Sequence, residues 1–361
     1  MFAAPHAGAA AALVERPNVS RAAHTLARHC DAGTPVILAG DIGATKALVL
    51  LAAVRRGRIA TLLEQRYTVA SFNDFGAMLA CFLDACHQHC GRDLPIASAC
   101  FGAAGPVSGD CIQMTNLPWL LDAEAIAAQF GIGRVRLVND FEAASTGVEV
   151  LGPDDTTILQ RGEPLPQAPR VVIGAGSGLG VAYVLAHGRR RQVIAGEGGH
   201  VGFAPGDAEQ MGLWRALHAR FGRVSVEHVV SGPGLVRIYE FLRGAEPASS
   251  ALEDSVRMEG PAAITRYALE LGDALACRAL DLFISCYGAV AGDHAITVSA
   301  RGGVFVGGGI APKILARLSA GGFMAAFNAK GAHAAMAASI PVQVVTTERL
   351  GLLGAARIAT R

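Results

Sequence analysis

The sequence predicts an α/β protein of two related lobes facing one ligand cleft, and three observations carry that expectation. A strand, a glycine-bearing turn and a second strand open the folded part as VILAGDIGATKALVLLAAV. The same order returns in the second half as VVIGAGSGLGVAYVL. Between them VRLVND reads as a buried strand ending in the polar pair Asn139 and Asp140, the strand-end position where open α/β sheets take ligands. A chain of 361 residues that is 52% hydrophobic has enough apolar material for two cores.

Taken in order, residues 1–35 form an Ala-rich extension expected to be disordered and without an assigned function. No Lys or Arg precedes its apolar piece at 7–14, and Glu15 and Arg16 close that piece, which argues against a secretory leader. From Pro35 a β-ribbon with a polar tip runs to the break at Arg55 and Gly57. Apolar residues at 75, 78, 79, 82, 83 and 86 predict an amphipathic helix over 74–90 packed on a sheet. A strand follows at 96–101, then VRLVND and a glycine-closed helix at 141–147. After the second ribbon, residues 262–289 read as helix, GGVFVGGGIAPKIL as strand, glycine turn and helix, and IPVQVV as a last strand before GLLGAARIA. No low-complexity linker interrupts the chain after residue 35.

Composition removes several classes of function. Thirty-one Lys and Arg against 30 Asp and Glu leave a net charge of +1, so no overall field draws the chain to nucleic acid or to an anionic membrane. A small neutral substrate fits that balance. Cys30, Cys81, Cys86, Cys90, Cys100, Cys111, Cys277 and Cys286 are scattered without a CxxC pair, as expected of reduced thiols in a cytoplasm. The longest uncharged stretch, 171–188, is broken by five glycines and suits a strand and turn, so no membrane span is expected.

Glycine turns bring backbone N–H groups close to phosphate oxygens because no Cβ intervenes, and an adjacent carboxylate can hold Mg2+ through water. Asp41, Gly43 and Thr45, and the run 174–180, supply such parts; each loop alone could equally be an ordinary tight hairpin. No GxxxxGK[ST] occurs, because Lys46 follows Thr45 and the segment continues as strand. GAGSGLG puts Leu179 where a dinucleotide fingerprint needs its third glycine, and GxSxG is absent. Nucleotide bound between ribbons is what remains.

Asn116, Asn139, Asp140, Glu197, His200 and Glu227 occupy short polar islands among apolar or glycine-rich residues. Together they offer the amide, carboxylate and imidazole groups that ligate sugar hydroxyls. Phosphoryl transfer to an alcohol needs positioning and one base to accept the hydroxyl proton, and a single carboxylate suffices. Asp140 also suits a helix N-cap, and Glu227, close after Ser225, suits a helix start whatever the function. Gly196, Gly198 and Gly199 argue against a helical metal pair at Glu197 and His200. Cys81, Cys86, His87, His89 and Cys90 fall on several faces of one helix and fit no zinc spacing.

In order along the chain, LAGDIGATK, FGAAGPVSGD, MTNLPW, LVNDFEAAS, GAGSGLGVA, GEGGHVGFAP, VSVEHVVSGPGLV and GGVFVGGGIAP resemble the bacterial glucokinase family, in the hexokinase, Hsp70 and actin superfamily. The resemblance covers residues 36–361. It implies an actin-like ATPase (ribonuclease H-like) fold, with a smaller domain at 36–150 plus 341–361, a larger domain at 151–340 and a ligand cleft between them. It further implies ATP-dependent phosphorylation of glucose at the 6-hydroxyl, Mg2+, a homodimer, and cleft closure that keeps water from competing as acceptor. Asp140 is then the catalytic base, and Asn139, Glu197, His200 and Glu227 hold glucose hydroxyls, with Asn116 alongside. Gly40, Asp41, Ile42, Gly43, Ala44 and Thr45, with Gly174, Gly176, Ser177, Gly178, Gly308 and Gly309, contact ATP. Ala44 and Lys46 depart from the family's usual glycine and asparagine, which could tighten the phosphate loop and add a phosphate contact.

Rival readings differ at identifiable features. A kinase for another hexose of the repressor type would resemble a CxxGxxGC zinc motif that this chain lacks. A sugar-responsive transcriptional regulator needs a helix-turn-helix module, for which the segment before Pro35 is too short. A catalytically weak sugar sensor on the same fold is opposed by Asp140 and both glycine ribbons and kept open by Ala44.

Overall fold

The computed structural model describes residues 34–188, 190–244 and 249–361, so nearly all of the extension expected at 1–35 lies outside the described residues. The chain forms two compact units, one running through Leu151 and completed by Glu348–Arg361, the other Gly152–Thr347.

In the first unit, β1 (Val36–Ile42), β2 (Lys46–Arg55) and β3 (Arg58–Thr68) form an antiparallel meander. Arg56 and Gly57, at φ 50° and 75°, make the turn between β2 and β3, the left-handed pair whose twist matches flanking strands. Helix α1 (Phe75–Cys90) follows, started by Asp74 accepting from the Ala77 N–H at 2.8 Å and ended by Gly91 at φ 70°. β4 (Ile96–Ala103) pairs parallel to β1. A small sheet of β5 (Val107–Ser108), β6 (Cys111–Gln113) and β7 (Leu120–Asp122) leads to α2 (Ala123–Phe130). β8 (Val135–Asn139) pairs parallel to β4 and runs directly into α3 (Asp140–Gly147). The sheet order is β3-β2-β1-β4-β8. β1 is buried on both faces: Val36 and Leu38 join the core beneath α1, while Ile37 and Ala39 join the opposite core. Burial on two faces explains why it reads as a continuous apolar run.

The second unit repeats this plan. Its strands are β9 (Thr156–Gln160), β10 (Arg170–Ala175), β11 (Leu179–His187) and β12 (Arg190–Gly196). Helices α4 (Ala208–Phe221), α5 (Gly232–Arg243), α6 (Ser250–Glu259), α7 (Pro261–Arg266) and α8 (Ala274–Thr297) precede β13 (Val304–Gly307). Short helices α9 (Leu315–Leu318), α10 (Gly322–Asn328) and α11 (Ala334–Ala338) lead to β14 (Val342–Val345). The sheet order is β12-β11-β10-β13-β14-β9. Its first five strands match the first unit's five in sequence order and direction, an antiparallel meander followed by parallel strands. α8 crosses the core, and Gly288 and Gly292 face the carbonyls of Phe323 and Phe327 so closely that a Cβ would have no room. That helix is long and apolar enough to cross a membrane, and 67% of its apolar window lies buried inside the unit.

Two expectations need correction. The helix anticipated over 262–289 is two helices joined by a π-helical turn, Tyr267–Leu271, because Gly272 at φ 66° ends the turn and Asp273 caps α8 afresh. The strand IPVQVV, assigned above to the smaller domain, is β14, hydrogen-bonded between β13 and β9 in the second unit. Only α12 (Leu350–Ala359) returns to the first unit, where Leu352, Ala355, Ala356 and Ile358 bury against Ile37, Leu50 and Val138.

Candidate active site

In the first unit three strands end together. Asp41 of β1 stands level with Gly102 of β4, and Ala103 of β4 stands level with Asn139 of β8, so Asp41 and the Asn139–Asp140 pair flank the carboxyl end of β4. The Phe141 N–H donates to Asn139 Oδ1 at 2.9 Å and to Asp140 Oδ1 at 2.8 Å. The cap of α3 is therefore Asn139, and Asp140 is the helix's first residue, not its cap. Burial raises the Asp140 carboxyl above the ordinary value of 3.8, and the hydrogen bonds from Phe141 oppose that rise. Asp41 is pushed up to about 7, chiefly by burial and then by the negative charge of Asp140. Two acidic groups that repel one another in a dry strand-end site are what a cation or a proton-accepting reaction requires.

Loops close the site's floor. Asn139 Nδ2 donates to the Gly105 carbonyl at 3.3 Å, and the Thr115 N–H donates to the Ala104 carbonyl at 3.0 Å. The segment bearing Asn116 is thus tied to the loop that Asn139 holds, and Asn116 itself is exposed. At the ribbon tip, Gly40 packs so tightly that a Cβ would come within 2.7 Å of Phe101. The Gly43 N–H donates to the Lys46 carbonyl at 3.0 Å and closes a turn of Gly43, Ala44 and Thr45. Asp41 fills the space a Cβ on Gly351 would need, so α12 is glycine where it meets this carboxylate.

In the second unit the glycine hairpin Gly176-Ser177-Gly178 joins β10 to β11, with the Gly176 N–H donating to the Gly178 carbonyl at 2.8 Å. Glu227 Oε2 accepts from the Leu179 N–H at 2.8 Å, and Gly178 leaves room for that carboxylate. The residue sits in a 3₁₀ turn, Val226–His228, as its position after Ser225 predicted, yet its side chain serves the neighbouring hairpin. Gly198 and Gly199 press against Val181 and Leu179 of β11, which leaves no space for side chains there. Glu197 and His200 therefore project from a glycine turn, largely exposed, with His200 Nε2 3.8 Å from Glu197 Oε2. Gly308, at φ 82°, turns the chain across the end of β10, and the Ile310 N–H donates to the Ala175 carbonyl at 3.2 Å.

Beside Gly309 lies a pocket of about 330 Å³ that the sequence did not disclose. Leu235, Ala262, Thr265, Leu269, Gly309 and Ile310 line it, with Glu270 and Lys313 at polar positions. Its apolar walls and few polar groups suit a heterocyclic base and its ribose. The π-helical turn supplies one wall. Among the described residues no group of three or more His, Cys, Asp and Glu gathers to hold a metal. Asp41 offers the hard oxygen that Mg2+ takes through water when it arrives with a nucleotide, so the residues present fit that ion.

The two units, each an antiparallel meander with a glycine turn followed by parallel strands, have the topology expected of the actin-like ATPase fold. A family model described as glucokinase matches residues 38–361. A glucokinase of Synechocystis sp. is 38% identical over 346 residues, 90% of this chain and 98% of that one. Among solved structures, a glucokinase from an Antarctic psychrotroph gives a TM-score of 0.79 at 26% identity, over 90% of this chain and 98% of its own. The glucokinase of Balamuthia mandrillaris in complex with glucose gives 0.74 at 21% identity, over 95% and 100%, a likeness of fold. The chain belongs to the glucokinase family.

Proposed function

We propose that the protein transfers the terminal phosphoryl group of ATP to the 6-hydroxyl of glucose, with Asp140 as general base. The observation that carries this reading is the half-buried Asp140 at the end of β8, raised in pKa and paired in charge with Asp41. A carboxylate so placed takes the hydroxyl proton as the oxygen bonds to phosphorus and the bond to ADP breaks. Asn116, Asn139, Glu197, His200 and Glu227 supply the amide, carboxylate and imidazole groups for the sugar hydroxyls. The two glycine hairpins, 40–45 and 174–178, take the phosphates through backbone N–H groups, while Gly308, Gly309 and the adjoining pocket take the nucleoside. Asp41 would hold, through water, the Mg2+ that accompanies ATP, and that ion would offset phosphate charge. The seven described cysteines are free thiols, which supports a reducing, cytoplasmic setting. A homodimer, as the resemblance implies, is checked by light scattering.

The test is a coupled assay of the purified protein with Mg-ATP and glucose, fructose, mannose, glucosamine and N-acetylglucosamine in parallel. Glucose is expected to give the highest kcat/KM. Preference for another sugar refutes the substrate and keeps the chemistry, and glucose binding without turnover refutes the kinase.

A further inference from the structure

We propose that His228 is a positioning residue for Glu227: its imidazole, as a neutral hydrogen-bond acceptor, holds the 3₁₀ turn that carries Glu227, so that glucose affinity depends on the charge of that ring. This rests on the reading that Glu227 binds the sugar.

The start of the turn is tied to the neighbouring segment by one isolated antiparallel bridge, with Gly202 opposite Ser225. Its hydrogen bonds come from the flanking residues: the Phe203 N–H donates to the Val224 carbonyl at 3.0 Å, and the Val226 N–H to the Val201 carbonyl at 2.9 Å. The Ser225 N–H therefore points away from Gly202, and Ser225 is buried, so that donor needs a partner on its own side. His228 Nδ1 is that partner, accepting at 3.2 Å. Glu227 immediately precedes His228, and its Oε2 accepts from the Leu179 N–H at 2.8 Å, so a shift of the turn passes directly to the carboxylate. A second 3₁₀ turn in the same unit, Pro153–Asp155, is closed in the same way, with Asp155 Oδ2 accepting from the Gly152 N–H at 2.8 Å. The position calls for an acceptor on a short side chain, and a histidine there adds a group that titrates.

The half-buried ring is set by its neighbours. Phe221, at the end of α4, stacks on it with centroids 4.5 Å apart and planes 15° apart. Arg237 of α5 donates to the His228 carbonyl at 3.1 Å and, like Arg220, places its guanidinium over the Phe221 ring. Arg220 in turn pairs with Glu240 at 3.8 Å. Burial first, and then the charge of Arg237, hold the imidazole below its ordinary value of 6.5; His200 acts in the same direction and Glu227 against it. At neutral pH the ring is thus uncharged, with its proton on Nε2 and Nδ1 able to accept. Protonation puts a hydrogen on Nδ1, which makes the acceptor a second donor facing the Ser225 N–H. The bond is then lost and a buried N–H is left unpaired, so the turn moves and Glu227 moves with it.

The experiment is calorimetric titration of glucose, without nucleotide, into wild type, His228→Asn, His228→Phe and Glu227→Gln at about pH 8 and about pH 5.5, either side of the histidine range. Asn keeps an acceptor near the place of Nδ1 and does not titrate, whereas Phe keeps the stack on Phe221 and has no acceptor. At the higher pH the Phe variant is expected to bind glucose about tenfold more weakly than wild type, and the Asn variant within about threefold of it. On acidification wild type is expected to lose about fourfold more affinity than the Asn variant, which keeps only the response of the other titrating groups. A Phe variant that binds like wild type overturns the proposal, as does an Asn variant that is unfolded or as weak as Phe. So does a loss on acidification that is no larger in wild type than in His228→Asn. Glu227→Gln is expected to weaken glucose binding; unchanged affinity there removes Glu227 as a sugar ligand and overturns the reading beneath the proposal. Should His228→Phe fail to fold, the pH comparison between wild type and His228→Asn decides.

Discussion

At the scale of single residues, the site is governed by where charge is buried. Asp41 carries its proton up to about pH 7 in the fold, whereas the unfolded chain releases it near 3.8. Across that window the folded state binds more protons, so the contribution of Asp41 to stability is greatest below about pH 4 and is lost as pH rises through 7. Asp41→Asn removes the decline. Without nucleotide, the variant is expected to unfold later than wild type at pH 8, by on the order of 4 kcal/mol, and to match it near pH 4; denaturant melts at the two pH values check this. The same substitution removes the proposed Mg2+ contact, so activity is expected to fall as stability rises. Gly178→Ala acts differently, because its Cβ would meet the Glu227 carboxylate. KM values for both glucose and ATP are expected to rise, since Glu227 anchors the hairpin and is the proposed sugar ligand, and steady-state kinetics separate the two. The strand-end position of Asn139 and Asp140 was legible from sequence because an apolar run ends in polar residues there, but the place of Asp140 inside α3, with Asn139 as the cap, depends on one hydrogen-bond geometry that spacing does not encode.

At the scale of elements, α12 fixes α3, the helix that begins at Asp140. A Cβ on Gly354 would run into the Ala143 carbonyl of α3, and a Cβ on Gly147 into the Leu350 carbonyl, so the two helices meet backbone to backbone. Gly354→Ala is expected to cost about 2 kcal/mol and to lower kcat, because the helix bearing Asp140 must move; thermal melts and turnover measured together check both. GLLGAARIA was readable as a helix from its composition, but its glycines read as weak helix formers until the partner helix is in view. Strands β1, β2, β10 and β11 were readable because glycine turns separate apolar runs. The π-helical turn was not, because the apolar pattern runs through it and only Gly272 marks the break.

At the scale of the whole molecule, duplication was visible in the two glycine ribbons, and both units share the antiparallel meander followed by parallel strands. The pocket beside Gly309 stayed hidden because its walls come from Leu235, from residues 261–270 and from residues 309–314, none of which forms a local motif. Saturating glucose at about 100-fold its dissociation constant is expected to stabilise the protein by about 2.7 kcal/mol if the sugar binds only the folded chain, and no shift in melting would remove glucose as ligand. The most direct test of the account is Asp140→Asn, which keeps the side chain's shape and removes the base. The account predicts glucose affinity within a few-fold of wild type with kcat reduced on the order of a thousandfold; near-normal turnover in that variant would contradict it.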